Sequence, residues 1–411
     1  MSQVSVRPLW QGRTLAVIGI VLFAFSLRSA VASLSPLLDH IEADFELSAV
    51  VVGLIGTVPP ACYAVFGILT PMMERRYGLE RLAVIAMTGV ALGLFARGFA
   101  FDSISLLAAT ALVFAGVGVG NILLPPLVKK YFPDRIGLMM TVYSTTMAVS
   151  TFIPPLVAVP LADAAGWRLA LGVWAVSAVL AMIPWAVMFL RERAAAPLDV
   201  DEANARVLGR MWRLPLPWAL TIVFASSGSL AYSAFGWLPV VLVDAAGVTP
   251  AEAGVMLSLF ALIALPIALL VPVLVVRYEA VRLLVWIGAV AGATGLGGLI
   301  LFPTVATLLW VLLYGMTATL FPLSLVLLGL RARTHEGAVA LSGFVQSVGY
   351  GVVALFPLGL GLLHDLTKSW VAPLLVLVVV ALVAIPAGMV TARPHTVEDE
   401  WERRHGAWNG A

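Results

Sequence analysis

Residues 71–82 read PMMERRYGLERL, and residues 272–283 read PVLVVRYEAVRL. Pro71, Arg76-Tyr77 and Arg81-Leu82 return as Pro272, Arg277-Tyr278 and Arg282-Leu283, always 201 residues later. Upstream, the same interval takes Ser48 to Thr249 and Gly53 to Gly254. Downstream the register drifts slightly: Gly137 answers to Gly337, Asp163 to Asp365 and Trp167 to Trp370. Each quoted stretch closes one long apolar run and opens the next across a basic hinge. One interval held across a run and both its flanks reads as a duplicated unit.

Composition says what kind of unit it is. The 411 residues are 61% hydrophobic and 11% charged, with a mean hydropathy of +1.03. Soluble domains carry about 25% charged residues, so less than half the usual solvating charge is present. This excludes a water-soluble enzyme, a disordered chain and a nucleic-acid binder, and a net charge of +2 predicts no polyanionic partner. One bilayer crossing takes about 20 apolar residues, so the roughly 250 apolar side chains suffice for about twelve. The single cysteine, Cys62, rules out an intramolecular disulfide, a thiolate metal site and a Cys-x-x-Cys redox pair. The first apolar run is too long for a signal-peptide core and has no small-residue cleavage site, so it is expected to remain as the first span.

Apolar runs between charged or Pro/Gly-rich breaks predict twelve helices. They lie near 14–37, 49–72, 82–101, 104–128, 137–160, 168–190, 215–242, 251–276, 283–302, 305–329, 337–362 and 370–391. The expected fold class is all-α integral membrane, with two parallel six-helix repeats. One bundle occupies 1–190, a linker 191–214, a second bundle 215–392 and a polar tail 393–411, which shows no recognisable signal. In the linker, Arg206, Arg210 and Arg213 stand among Val207, Leu208, Met211 and Trp212. That pattern fits a short amphipathic helix at the membrane interface or a solvated basic connector. Basic residues orient membrane proteins. With the N-terminus cytoplasmic, twenty of the 24 Lys and Arg fall on the inner side and only Arg168 and Lys368 outside. Both termini are therefore expected in the cytoplasm, with the chain in the cell inner (cytoplasmic) membrane. Parallel six-plus-six repeats are the arrangement of carriers of the major facilitator type, whose substrate sits near the midplane between the halves.

Two basic residues remain, Arg28 and Arg97, and both lie within predicted helices. None of the 22 acids falls deep in a span, and the five histidines are peripheral. Arg28 stands about four residues beyond the midpoint of the first span, toward the outside, where insertion of Arg costs roughly 2.5–3.5 kcal/mol. A charge-assisted hydrogen bond to a bound anion returns about 1.5–3 kcal/mol. Arg28 is thus expected to anchor an anionic or strongly electronegative ligand; snorkelling, or capping the carbonyls of a neighbouring helix, is the alternative. Arg97, near the outer end of the third span and close to Asp102, is expected to snorkel or to pair locally. No interior acid or histidine offers a proton carrier. Facilitated diffusion or exchange, symport with a substrate-borne proton, and a carrier at a span edge such as Glu252 or Asp39 all stay open.

Polar residues near the middle of other spans complete the candidates. Ser229, the counterpart of Arg28 at 201 residues, sits in Ser226-Ser227-Gly228-Ser229. Small hydroxyls beside glycine permit local unwinding and supply ligand donors, or else allow close helix packing. Tyr232 shares that face. In the eleventh span Ser342, Gln346 and Tyr350 recur at spacings of four and share one face. Burying an unpaired amide costs roughly 1–3 kcal/mol, so Gln346 is expected either to meet the ligand or to bond across helices. Asn121, toward the inner end of the fourth span, is a ligand or a structural amide. Tyr63, Tyr143 and Tyr314 are candidate cavity aromatics, with plain packing as the alternative. Gly89 with Gly93, Gly288 with Gly292, and Gly116-x-Gly118-x-Gly120 predict helix-packing faces. The last is no dinucleotide fingerprint, since no strand precedes it and no acidic ribose ligand follows. Pro59-Pro60 and Pro154-Pro155 predict kinks in the second and fifth spans.

The chain resembles the cyanate permease and 2-nitroimidazole transporter (CynX/NimT) family of the major facilitator superfamily. The resemblance rests on Leu27-Arg28 with Ser35-Pro36-Leu37-Leu38, and on Gly118-Val119-Gly120-Asn121-Ile122-Leu123-Leu124-Pro125. Lys129, Phe132-Pro133-Asp134-Arg135, Gly137-Leu138-Met139 and Gly166-Trp167-Arg168 extend it. It covers mainly the first half, and the second matches in architecture. Ser26 and Ser29 flank the Leu-Arg pair where the family often has Asn and Pro. The superfamily's inner loop after the second span reads Gly-x-x-x-Asp-Arg-x-Gly. Here Pro71 holds the glycine position and Arg75 the aspartate position, leaving Arg76, Gly78 and Arg81, with Glu74 adjacent, as the gating set the resemblance implies. It also implies small anions such as cyanate, compact nitro-aromatics or other organic acids as substrates.

The combined expectation is a secondary active or facilitative carrier of a small anionic or electronegative organic solute, working by alternating access with Arg28 as anchor. No enzyme is expected, because His-Glu-x-x-His, Gly-x-Ser-x-Gly and a phosphate loop are all missing from the sequence and no intramembrane acid or base is present. No metal or other cofactor is expected; the partners are a small-molecule substrate and the lipid bilayer, and the chain is expected to be a monomer. The rival readings are an exporter of neutral drug-like compounds, with a structural Arg28, and a non-transporting membrane sensor.

Overall fold

The structure, a computed structural model, describes residues 13–132, 135–191 and 205–408. Arg7, Pro133, Asp134 and most of the linker from 192 to 204 lie outside the described residues. Twelve helices long and apolar enough to cross a membrane are present among them. They are α1 (Thr14–Ala32), α2 (Ala49–Tyr77), α3 (Leu79–Gly98), α4 (Ser103–Tyr131), α5 (Ile136–Ala165) and α6 (Trp167–Arg191), then α7 (Pro215–Ala246), α8 (Pro250–Tyr278), α9 (Val281–Leu301), α10 (Thr307–Leu330), α11 (Gly337–Thr367) and α12 (Val371–Thr391). Every predicted span overlaps one of them.

Local chemistry sets the helix ends. Ser48 caps α2 by accepting from the Val51 N–H at 3.3 Å. Asp102 opens α4 with a capping box, accepting from the Ser105 N–H at 2.7 Å while the Ser105 hydroxyl accepts from the Asp102 N–H. α1 stops at Ala32, five residues short of the predicted 37, and a single 3₁₀ turn follows at Ser35–Leu37. The ring of Pro36 carries no N–H for the Ala32 carbonyl, which removes the next rung of the α-helical ladder where α1 ends.

The chain divides into two compact units, one made of Met1–Asp199 with Thr249–Ser258, the other of Val200–Val248 with Leu259–Ala411. The start of α8 thus groups with the first unit. Within each unit the helices pair alike. In the first, α1 packs on α5 and α6, and α3 on α4 and α6; in the second, α7 packs on α11 and α12, and α9 on α10 and α12. Repeat-related side chains repeat their bonds too. The indole of Trp167 donates to Asp44 at 3.0 Å, and that of Trp370 to Asp244 at 2.9 Å.

Glycines let these helices approach. On α4, a Cβ at Gly116 would stand 2.5 Å from the Ala86 carbonyl of α3, at Gly118 3.0 Å from the Cys62 carbonyl of α2, and at Gly120 2.5 Å from Leu27 Cδ2 of α1. The predicted glycine face therefore serves three different neighbours. Gly93 approaches α4, and Gly288 and Gly292 approach α10, in the same manner.

Helix continuity differs between the two units. α2 and α5 run unbroken through Pro59-Pro60 and Pro154-Pro155. Interruptions fall in α6 after Gly172, in α8 at Ile263, in α10 over a 3₁₀ turn at Met316–Thr319 and in α11 at Ala354. Pro266, Pro322 and Pro357 follow the last three breaks in turn, and each removes the helical donor to the carbonyl four residues earlier, at Leu262, Ala318 and Val353. In α10 the hydroxyls of Thr317 and Thr319 also donate to the carbonyls of Tyr314 and Met316, three residues back, which favours the tighter turn.

The second unit also incorporates segments expected to be peripheral. A linker helix, Ala205–Met211, buries Val207 and Met211 in the core of Leu216, Leu220, Phe224, Leu327 and Phe344. The polar tail forms a helix, Val397–His405, whose Val397 joins the same core together with Trp408 beyond it. The tail is therefore a docked element. Glu398 accepts from the main-chain N–H groups of Arg333 and Thr334 and from the Thr334 hydroxyl, all at 2.8–2.9 Å, and Glu400 accepts from the Leu216 N–H at 3.0 Å. Two carboxylates thus neutralise the N-terminal ends of α11 and α7. Arg210 lies over the rings of Trp401 and Trp408, 4.9 Å from each centroid, and donates to the Trp408 carbonyl.

Candidate functional site

The two arginines of the first unit have different surroundings. Arg28, on α1, is half-buried between the fully buried Ser26 and Ser29. The Ser26 hydroxyl donates to the Leu22 carbonyl at 2.9 Å and reaches Ser177 of α6 at 3.3 Å. Arg97, on α3, is 1% exposed. Its Nε donates to the Thr110 hydroxyl of α4 and its Nη1 to the Ala30 carbonyl of α1, both at 3.1 Å, with its guanidinium over the Phe114 ring at 5.4 Å. Arg97 therefore neither snorkels nor pairs with Asp102, whose carboxylate is the α4 cap. Its burial is compatible with its charge because three polar or aromatic groups surround it.

α4 brings Asn121 near α1, since the adjoining Gly120 rests on Leu27. Asn121 and Tyr143 are half-buried and Tyr63 is buried. At the other end of the unit, α2 turns into α3 at Gly78, whose φ of +77° suits glycine. Arg76 and Arg81 both lie over the Tyr77 ring, at 5.5 and 5.4 Å, and Glu74 is buried. The repeat places Glu279 at the position of Gly78, also with positive φ, and Arg277 over Tyr278.

In the second unit the candidates gather around α7. The hydroxyls of Ser229 and Ser233 are buried and have no hydrogen-bond partner among the described residues. Tyr232 is buried beside them. Tyr314, expected as a cavity aromatic, is 1% exposed and donates to the Leu230 carbonyl at 2.6 Å. Gln346 donates to Ser342 at 2.8 Å, one turn back on its own helix, a bond that neither of its two expected roles included. Tyr350 packs edge-on to Phe224 of α7 with centroids 5.0 Å apart. Gly228 approaches Val353, at the break in α11, and the Trp237 indole donates to the Pro357 carbonyl at 2.8 Å.

One buried polar cluster escaped the sequence reading. Glu80, at the start of α3, accepts from Lys130 at 2.6 Å and from the Tyr131 hydroxyl at 2.9 Å, both at the end of α4. The available signal was that these residues of opposite charge close neighbouring spans on the same side. At the opposite ends, hydrogen bonds from Arg168 and then from the Trp167 indole hold the Asp44 carboxyl below the usual carboxylate range. Among the described residues no group of three or more His, Cys, Asp or Glu could hold a metal ion.

Comparison with known proteins extends this picture. Residues 16–357 match the model of the Major Facilitator Superfamily. The chain is 31% identical over 395 residues to the uncharacterized transporter YycB of Bacillus subtilis (strain 168), covering 95% of this chain and 96% of that one. It is 30% identical over 385 residues to the 2-nitroimidazole transporter of Escherichia coli (strain K12), covering 93% and 96% respectively. Among solved structures, a bacterial homologue of the human lysosomal transporter Spinster, inward-facing and unoccupied, superposes with a TM-score of 0.74 at 16% identity, covering 97% of this chain and 99% of that chain.

Proposed function

Because this chain belongs to the Major Facilitator Superfamily, we propose that it carries a small anionic or electronegative organic solute across the membrane by alternating access, with Arg28 as the substrate anchor. Its relatives are transporters, one of them of 2-nitroimidazole. A nitro group concentrates negative charge on two oxygens and presents a guanidinium with the same acceptor geometry as a carboxylate. The substrate class proposed is therefore compact nitro-aromatics, organic acids and small inorganic anions.

One observation supports the anchor above the others: the contrast between the two intrahelical arginines. Arg97 is 1% exposed, whereas Arg28 keeps an exposed portion. From the first unit, Asn121, Tyr63 and Tyr143 are proposed as further substrate contacts. Ser229, Tyr232, Gln346 and Tyr350 are those from the second, with Tyr314 supporting the α7 backbone. Glu74, Arg76, Gly78 and Arg81 form the proposed gate. The excess of basic residues on one side supports cytoplasmic termini, and the proposal includes an inner-membrane location and a monomeric state.

The test is uptake into proteoliposomes by the parent and by Arg28→Lys and Arg28→Ala. Loss of a charge-assisted bond predicts a fall of about tenfold or more for Arg28→Ala. Arg28→Lys should fall less, retaining charge without the planar fork. Undiminished uptake by both variants would overturn the reading. Competition by carboxylate- or nitro-bearing compounds, but not by their neutral isosteres, separates this carrier from one for neutral drug-like molecules.

A further inference from the structure

Arg97 does more than fill space. An α-helix leaves its last four carbonyls without intrahelical donors and carries partial negative charge there. Ala30 belongs to that final turn of α1, and its carbonyl receives Arg97 Nη1 at 3.1 Å. Arg97 Nε is meanwhile held by Thr110 at 3.1 Å, and Thr110 is itself tied to the Leu106 carbonyl at 2.7 Å. The guanidinium therefore pins the end of α1 to α3 and α4, two residues beyond Arg28. No carboxylate pairs with Arg97 among the described residues, so its charge is not cancelled locally. In a weakly polar interior such a charge acts over several ångströms.

We infer that Arg97 is a positioning residue of the substrate site: it fixes the end of α1 that presents Arg28 and adds a second positive charge to the field an anion meets there. This rests on the reading of Arg28 as the anchor. A ligand of one negative charge would then be held by one arginine in contact and attracted by another behind it, which favours anions over neutral molecules of the same shape.

The experiment reads the field directly. On a Cys62→Ala background, Arg28→Cys reports local potential through its rates of modification by a negatively and a positively charged methanethiosulfonate. The ratio of the two rates is compared with Arg97 present, with Arg97→Lys and with Arg97→Gln, each folded by its melting temperature in detergent. Arg97→Gln should lower the negative-to-positive ratio at least about fivefold, while Arg97→Lys should largely retain it. A purely structural role would change both rates together and leave the ratio unmoved. An unchanged ratio in Arg97→Gln, with uptake still abolished by Arg28→Ala, overturns the role of Arg97 alone. Undiminished uptake by Arg28→Ala, or a thiol at position 28 inert to both reagents, overturns the anchor and this inference with it.

Discussion

In the first unit α2, α4 and α5 run unbroken; in the second their counterparts α8, α10 and α11 are each interrupted. Proline does not account for the contrast, since Pro59-Pro60, Pro125-Pro126 and Pro154-Pro155 sit inside the unbroken helices. A proline removes one donor, but the helix opens only where its surroundings favour the opening. In the second unit each interruption faces a glycine of another helix. Ile263 lies on Gly315, Thr317 on Gly292 and Val353 on Gly228. The charges divide as well. The first unit holds its intrahelical polarity as Arg28 and Arg97, the second as Ser229, Ser233, Gln346 and Tyr314. Duplication has kept the helix pairings, while the breaks moved: the first unit is interrupted only in α6 among its described spans, the second in α8, α10 and α11.

The strongest test of the shared pairings is to close the approach of the third helix of each repeat to the fourth. Gly116→Ala places a Cβ 2.5 Å from the Ala86 carbonyl, and Gly295→Ala places one 2.4 Å from that of Trp310. Main chain cannot move aside as a side chain does, so each should cost about 1–3 kcal/mol, read from thermal unfolding in detergent. If only one of the two destabilises, the units do not share this packing.

Next in size is the docked tail of the second unit. Glu398→Ala strands the main-chain donors of Arg333 and Thr334, at a cost of about 1–3 kcal/mol. Burial by itself would raise the Glu398 carboxyl; the Arg333 and Thr334 donors outweigh it and lower it below its ordinary value of 4.5. Asp399 is likewise lowered from 3.8, chiefly by the Thr396 N–H. Groups with depressed folded values lend stability above their unfolded pKa and lose it as pH falls toward the folded one. Melting temperature should thus drop below about pH 4.5 more steeply in the parent than in Glu398→Ala; parallel curves would remove the tail carboxylates from the account.

A smaller effect probes the joints. Pro322→Ala and Pro357→Ala restore the donors for the Ala318 and Val353 carbonyls, so both should raise the melting temperature by a few degrees and slow uptake. Pro125→Ala, in an unbroken helix, should leave uptake unchanged. Equal slowing by all three would deny the second unit its special flexibility. Smallest is the hydroxyl contrast. Ser229→Ala removes a buried group without a partner among the described residues and should shift stability by less than about 0.5 kcal/mol. Ser26→Ala, which loses bonds to Leu22 and Ser177, should cost about 1 kcal/mol.

Much of this was legible in the residues. Length of apolar run, basic flanks and a 201-residue echo determine twelve spans, two repeats and the position of Arg28 within the first span, because hydropathy and charge act locally along the chain. Glycine spacing likewise announces close helix faces. The partners of those faces are decided only by tertiary structure. That Arg97 caps α1, that Gln346 bonds back to Ser342, that Tyr314 holds the Leu230 carbonyl and that Glu398 and Glu400 close the starts of α11 and α7 all join residues brought together by folding. The breaks in α8, α10 and α11 belong to the same class. A proline offers the opening, but a glycine on another helix provides the room, and no reading along one strand of sequence brings those two positions together.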